Sequence, residues 1–159
     1  MEGVNNLDKK TSHQNSVHWV LTHGYAMHFA LFLIGVILDM TFQLKLLSVP
    51  FARPFGIFLL VVSTISILWA QTTSRNLDTT TVTKETFCRG PYCYTRNPTH
   101  WGLFFLVLGF GIIANAFFVI LTTLIAFILA KFVFLRREEE ILAQKYGAPY
   151  LEYKKQIKI

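Results

Sequence analysis

Apolar residues in this chain are gathered into long unbroken blocks separated by short polar stretches, with no period-two alternation. Val17 to Leu38 carries no Asp, Glu, Lys or Arg, only His18, His23 and His28 among titratable groups. Its 22 residues rise about 33 Å as a helix, enough to cross a hydrocarbon layer of ~30 Å. Pro54 to Ser74 is uncharged over 21 residues, opens on a proline suited to a first helical turn, and carries Trp69 near its far end, where interfacial aromatics belong. Trp101 to Leu135 holds a single charge, Lys131. One helix of that length would rise about 52 Å, too long for one crossing, whereas two full crossings with a loop would need more residues. The pattern therefore predicts a tight, slightly short helical hairpin turning at Ala114-Asn115-Ala116, in preference to one long tilted helix. Gly109 and Gly111 would let its arms, or the first two spans, approach closely.

The predicted fold is all-α and multi-pass: about four transmembrane helices, the last two forming the hairpin and the last running on past the membrane. Lys145 in a final turn, Gly147 after it and Pro149 beyond predict where that helix stops. Residues 1–16 form a polar tail, 17–74 two spans, and 75–159 a core of polar loop, hairpin and C-terminal segment.

Composition agrees with the blocks. Of 159 residues 53% are hydrophobic, fifteen are phenylalanine, and the mean hydropathy is +0.44, more apolar surface than a small water-soluble core hides. One membrane domain is expected. The first sixteen residues include Glu2, Asp8, Lys9 and Lys10 and no compact apolar run, unlike a cleaved signal peptide. Four crossings put both termini and the 72–100 loop on one side, together with thirteen of the fifteen lysines and arginines, and leave Lys45 and Arg53 opposite. The positive-inside rule makes that side cytoplasmic. The net charge of +6 is then explained by topology and anionic lipid, and no nucleic-acid partner is expected.

Isolated titratable residues receive plain readings. Asp39, directly after the first apolar run, is expected to be an interfacial carboxylate and not an ion site. His18, His23 and His28 step around their helix, which disfavours a metal or relay role. Cys88 and Cys93 form a Cys-x4-Cys pair with no second half, a poor metal site; two reduced thiols and no metal are expected. Tyr150 and Tyr153, among Lys154, Lys155 and Lys158, suggest an interfacial anchor.

The densest polar signal is Gly90-Pro91-Tyr92-Cys93-Tyr94-Thr95-Arg96-Asn97-Pro98-Thr99-His100-Trp101-Gly102, turn formers and aromatics set directly before the hairpin. A hairpin would return Arg136-Arg137-Glu138-Glu139-Glu140 to the same level, so that two clusters distant in sequence meet at a membrane surface. Glu138 and Leu142 would share a helix face.

Over about residues 79–155 these motifs resemble the membrane methyltransferases that include isoprenylcysteine carboxyl methyltransferases and phospholipid N-methyltransferases. Members carry Gly-x-Tyr, then Arg-His-Pro or Arg-Asn-Pro with Tyr-x-Gly after it, then a hairpin, Glu-Glu-x-x-Leu and Phe/Tyr-Gly-x-x-Tyr-x-x-Tyr. Here these read Gly90-Pro91-Tyr92, Arg96-Asn97-Pro98-Thr99-His100-Trp101-Gly102, Glu138-Glu139-Glu140-Ile141-Leu142 and Tyr146-Gly147-Ala148-Pro149-Tyr150-Leu151-Glu152-Tyr153. Asn97 stands for the commoner histidine, and His100 for the usual tyrosine.

The resemblance implies S-adenosylmethionine as methyl donor and a lipidic acceptor reaching the site from the bilayer. Cofactor contacts are implied at Lys84 to Phe87, Tyr92, Asn97, Pro98, Thr99, His100, Glu138 and Glu139, with Glu138 holding the donor's ammonium. An acceptor carboxylate of the isoprenylcysteine type is already ionised and needs only an orienting cation, Arg96 first, then Arg136 or Arg137. An amine acceptor, the phospholipid alternative, must lose a proton, for which His100 or Glu139 is available. Two other classes fit the sequence less well. Sterol reductases using a nicotinamide cofactor share an Arg-His-Pro-x-Tyr hallmark but are longer, and a non-enzymatic membrane protein leaves the convergence of the two clusters unexplained.

Overall fold

The computed structural model describes residues 2–44, 51–75 and 83–157, with side chains from residue 22 onward and without that of Lys84. The expectations placed on His18, Lys45, Lys158 and the Lys84 side chain lie outside the described residues. Among the described residues every regular element is helical: α1 (Glu2–Phe42), α2 (Ala52–Arg75), a short α3 (Lys84–Phe87), a 3-10 turn (Gly90–Cys93), α4 (Pro98–Ala114), α5 (Phe117–Leu129), a π-helical segment (Ala130–Leu135), α6 (Arg136–Tyr146) and α7 (Ala148–Gln156). Thr22–Phe42, Ala52–Arg75 and the continuous helix Phe117–Tyr146 are long and apolar enough to cross a membrane, and α4 is a shorter apolar helix. The apolar run of the third ends at Leu135; the five charged residues Arg136 to Glu140 that follow are too costly to bury in hydrocarbon, so the helix beyond Leu135 belongs outside it. The polar stretch expected as a tail continues in the same helix as the first span.

The hairpin turns where the sequence places it. Asn115 adopts the left-handed conformation (φ 53°), Ala116 N–H donates to the Gly111 carbonyl at 2.9 Å, and Asn115 N–H to that of Ile112 at 3.2 Å, closing α4. The N-cap residue of α5, Ala116, has no side-chain cap. Asp39 of α1 supplies it instead: its Oδ1 and Oδ2 accept the N–H groups of Phe118 (3.1 Å) and Val119 (2.8 Å). The expected interfacial carboxylate is thus also a cap supplied across helices, to N–H groups that have no partner within their own helix.

Small residues bring the helices together. α2 and α4 cross antiparallel where Gly56 meets Gly109 and, farther along, where Ile67 meets Gly102; a Cβ on Gly109 would lie 2.9 Å from the Gly56 carbonyl oxygen. α1 runs antiparallel to α5, with Gly35 against Thr122 and Val119 and Gly24 against Phe134. Ser63, Thr122 and Thr123 are buried and return their hydroxyls to carbonyls of their own helices. Large apolar side chains such as Ile37, Phe58, Ile65 and Ile128 point outward, as a lipid-facing surface requires.

For the C-terminal part the expected helix end is found, with a further helix after it, and the expected anchor is corrected. Gly147 (φ 64°) does end α6, but Pro149 opens α7 at its first turn, where its missing N–H costs nothing. Tyr150 and Tyr153 are no interfacial anchor: both are 3% exposed and pack with Tyr146 around the Phe87 ring at centroid distances of 5.1–5.7 Å. The Tyr153 hydroxyl donates to the Tyr92 carbonyl at 2.7 Å, fastening α7 under the 3-10 turn.

Candidate active site

The turn that carries Tyr92 is built by Gly90 in a left-handed conformation (φ 54°), with Pro91 at the start of the 3-10 helix. Its ends meet in a Cys88–Cys93 disulfide with Cα atoms 4.5 Å apart, which corrects the expectation of two reduced thiols: the tight turn folds one cysteine onto the other. A second turn follows. The Asn97 carbonyl accepts the N–H groups of His100 (3.1 Å) and Trp101 (3.3 Å), and Pro98 begins α4, so Thr99 and His100 stand on its first turn.

The hairpin returns α6 to this level, as the sequence predicts. Arg96 Nη1 and Glu139 Oε1 form an ion pair at 2.6 Å, and Lys154 Nζ reaches Glu139 Oε2 at 2.8 Å, so one carboxylate ties the loop, α6 and α7 together. The Arg96 Nε is buried without a hydrogen-bond partner.

Two cavities open on either side of Arg96, Asn97 and His100. The first, about 320 Å³, is lined by Tyr25 of α1, Gln71, Ser74 and Arg75 of α2, Tyr92, Pro98 and Thr99, and Glu138. The second, about 240 Å³, is lined by Thr95, Trp101, Phe127, Lys131, Phe132, Leu135, Arg136 and Glu139. Its apolar wall comes from Trp101 of α4, Phe127 of α5, and Phe132 and Leu135 of the π-helical segment. The π-helical segment lies along it and contributes Lys131, Phe132 and Leu135; such wide turns recur at functional sites because they re-aim side chains. The Arg136 guanidinium lies 5.6 Å over the exposed Phe132 ring.

Electrostatics distinguish the cavities. Burial pushes the Glu138 carboxyl up from 4.5 to about 7, with the neighbouring Glu139 charge adding to the effect. Burial likewise raises the Tyr92 phenol, against side-chain hydrogen bonds with Thr99 and Ser74 that lower it, while Glu138 raises it further. Tyr153 is pushed up to about 12, chiefly by burial. The first cavity therefore presents a carboxyl group that would gain from a cation, beside the Arg75 guanidinium.

Residues 51–149 match the sequence model of the phospholipid methyltransferase family. The chain belongs to that family. The match runs from the start of α2 to Pro149 and covers well over half of the protein, leaving α1 outside. Neither curated proteins nor solved structures give a match. Family membership together with the apolar helices makes this a membrane methyltransferase.

Among the residues expected at the family's site, Tyr92, Asn97, Pro98, Thr99, His100 and Glu138 meet at the first cavity, and Arg96 and Arg136 line the second. Three are placed elsewhere. Glu139 lines the second cavity and neutralises Arg96 and Lys154. The Phe87 side chain is spent on the aromatic cluster with α7, and Arg137 is exposed and lines neither cavity. Sequence reasoning missed Tyr25, Gln71, Ser74 and Arg75. Polar residues at the end of an apolar span were the available signal for the last three; nothing local marks Tyr25.

Proposed function

We propose that the protein transfers a methyl group from S-adenosylmethionine to the amine of a phospholipid-like acceptor, the donor in the first cavity and the acceptor in the second. The observation that carries the reading is the pair of cavities meeting at Arg96, Asn97 and His100, one polar with a carboxyl and a guanidinium, the other walled by aromatic and aliphatic groups. The donor's zwitterionic end suits this set. Glu138 can take its ammonium and Arg75 its carboxylate, and the Tyr25 and Tyr92 rings give apolar and cation-accepting faces beside it. When bound, the donor supplies an electrophilic methyl group on sulfonium sulfur.

The protein's own contribution is positioning and exclusion of water. In-line displacement needs the acceptor atom held about 3–3.5 Å from the methyl carbon, so the shared wall of two cavities is the place for it. The sequence puts a carboxylate acceptor first, with Arg96 as its orienter. The Arg96–Glu139 ion pair speaks for the amine instead: the guanidinium is already committed to a protein carboxylate, and Lys131 and Arg136 at the mouth of the apolar cavity suit a phosphate next to the amine.

Purified protein in detergent, titrated calorimetrically with S-adenosylmethionine and then assayed with labelled donor against phosphatidylethanolamine and a prenylcysteine, tests both levels. Donor binding with methylation of the amine is expected. Methylation of the prenylcysteine alone would return the carboxylate to first place, and absence of donor binding would remove the reading.

A further inference from the structure

His28 lies on α1, outside the stretch that matches the family, and is 7% exposed. Its Nδ1 is 3.0 Å from the Gly24 carbonyl one turn earlier. A carbonyl oxygen only accepts, so Nδ1 carries the proton and Nε2 keeps a lone pair. That Nε2 is buried and has no hydrogen-bond partner. The ring packs on His100, with centroids 5.4 Å apart and planes tilted by 37°. His100 is 8% exposed, and its Nδ1 is also buried without a partner. Buried polar atoms nearly always find a partner, and the His28 acceptor would match His100 Nδ1 once that nitrogen carries the ring's proton. A small ring rotation or one water would join them.

We propose that His28 is a positioning residue: its Nε2 accepts the Nδ1 proton of His100, leaving the Nε2 lone pair of His100 to take a proton from the acceptor's ammonium at the wall between the cavities. The proposal rests on the amine reading above. The ammonium gives a proton to His100 Nε2 and keeps the N–H electron pair. That pair forms the new bond to the methyl carbon as the carbon–sulfur pair leaves onto sulfur, yielding a thioether and a methylated ammonium. The His100 imidazolium then loses its proton to water at the cavity mouth. The logic is that of a base held in one tautomer by an orienting partner. Ring packing between α1 and α4 is the alternative, and it predicts no dependence on the acceptor nitrogen of His28.

Other charged and titratable groups face His100: Tyr25 of α1, Tyr92 of the 3-10 turn, Arg96, Glu138 and Glu139 of α6, and Lys131 and Arg136 along the second cavity. All are retained in the comparison of the full-length protein with His28→Phe, which keeps an aromatic ring, and His28→Gln, which keeps an acceptor. Donor affinity by calorimetry is expected to agree within about twofold, reporting an intact first cavity. With phosphatidylethanolamine, kcat of His28→Phe should fall about ten- to a hundred-fold near neutral pH, the deficit closing toward pH ~10, where the amine sheds its own proton. His28→Gln should recover most of the rate. Nitrogen-15 NMR of the unloaded protein should show neutral His100 protonated on Nδ1 in the wild type and in His28→Gln, and a tautomer mixture in His28→Phe.

A wild-type His100 protonated on Nε2 overturns the proposal without reference to any variant. A wild-type rate and pH profile in His28→Phe overturns it as well, as do equal losses in both variants at every pH. Wild-type protein that binds no donor would instead remove the methyltransferase reading on which the proposal stands.

Discussion

On the function proposed above, Glu138 is the residue on which donor binding would turn, because burial in the folded protein disfavours its charged form and a bound cation would relieve it. Its carboxyl is raised from 4.5 to about 7, mainly by burial and then by Glu139. A group whose folded-state value is raised contributes stability that is complete below the unfolded value, here about 4.5, and is lost as pH climbs to about 7. An ammonium beside the carboxylate reverses the preference, so binding S-adenosylmethionine should expel a proton and affinity should rise with pH through about 7. Glu138→Gln should weaken the donor by roughly ten- to a hundred-fold, the equivalent of a charge-assisted bond of about 1.5–3 kcal/mol, while the exposed Glu140→Gln leaves it unchanged. Calorimetry in two buffers of different ionisation enthalpy measures both effects; identical affinity in the three proteins and no proton release would take Glu138 out of the site. Glu138 was legible because its motif lies beside a turn motif of known spacing. Arg75 and Tyr25 were not, since only the crossing of α2 and α1 with α4 brings them to the cavity.

Helix ends show where local rules suffice and where they do not. The Asn115 turn followed from length and composition, because a 35-residue apolar run has few ways to fit a bilayer. The start of α5 did not, because its cap comes from Asp39, 79 residues earlier. The stop at Gly147 followed from the sequence, whereas Pro149 beyond it also opens α7, a second helix that the stop signals did not announce. The cap makes a prediction at this scale. Asp39→Ala leaves two N–H groups at the head of α5 unsatisfied and should lower stability by about 1–3 kcal/mol, whereas Asp39→Asn, which keeps one acceptor, should lose roughly half as much. Thermal unfolding in detergent distinguishes them, and equal stability of Asp39→Ala and the wild type would mean that the cap contributes nothing.

For the molecule as a whole the open question is which way it faces, and two features pull apart. With the four crossings read from the sequence, thirteen of the fifteen basic residues would fall on the side of both termini and the 72–100 loop, and retention of Lys and Arg on the cytoplasmic side is the stronger determinant of topology. The Cys88–Cys93 disulfide lies in that loop, and such bonds are rare in the reducing cytoplasm. We propose that charge decides the orientation, the Cys88–Cys93 pair staying joined because its tight turn is also fastened by the Tyr153–Tyr92 hydrogen bond and the α7 aromatic cluster. Single cysteines in a background with Cys88→Ser and Cys93→Ser test this at positions that are exposed at the two ends of the fold, Glu152 on α7 and Phe51 before α2. In intact cells an impermeant maleimide should label Phe51→Cys and spare Glu152→Cys until the membrane is permeabilised. Labelling of Glu152→Cys from outside would reverse the orientation and put the candidate active site, with an intact disulfide, on the oxidising side of the membrane.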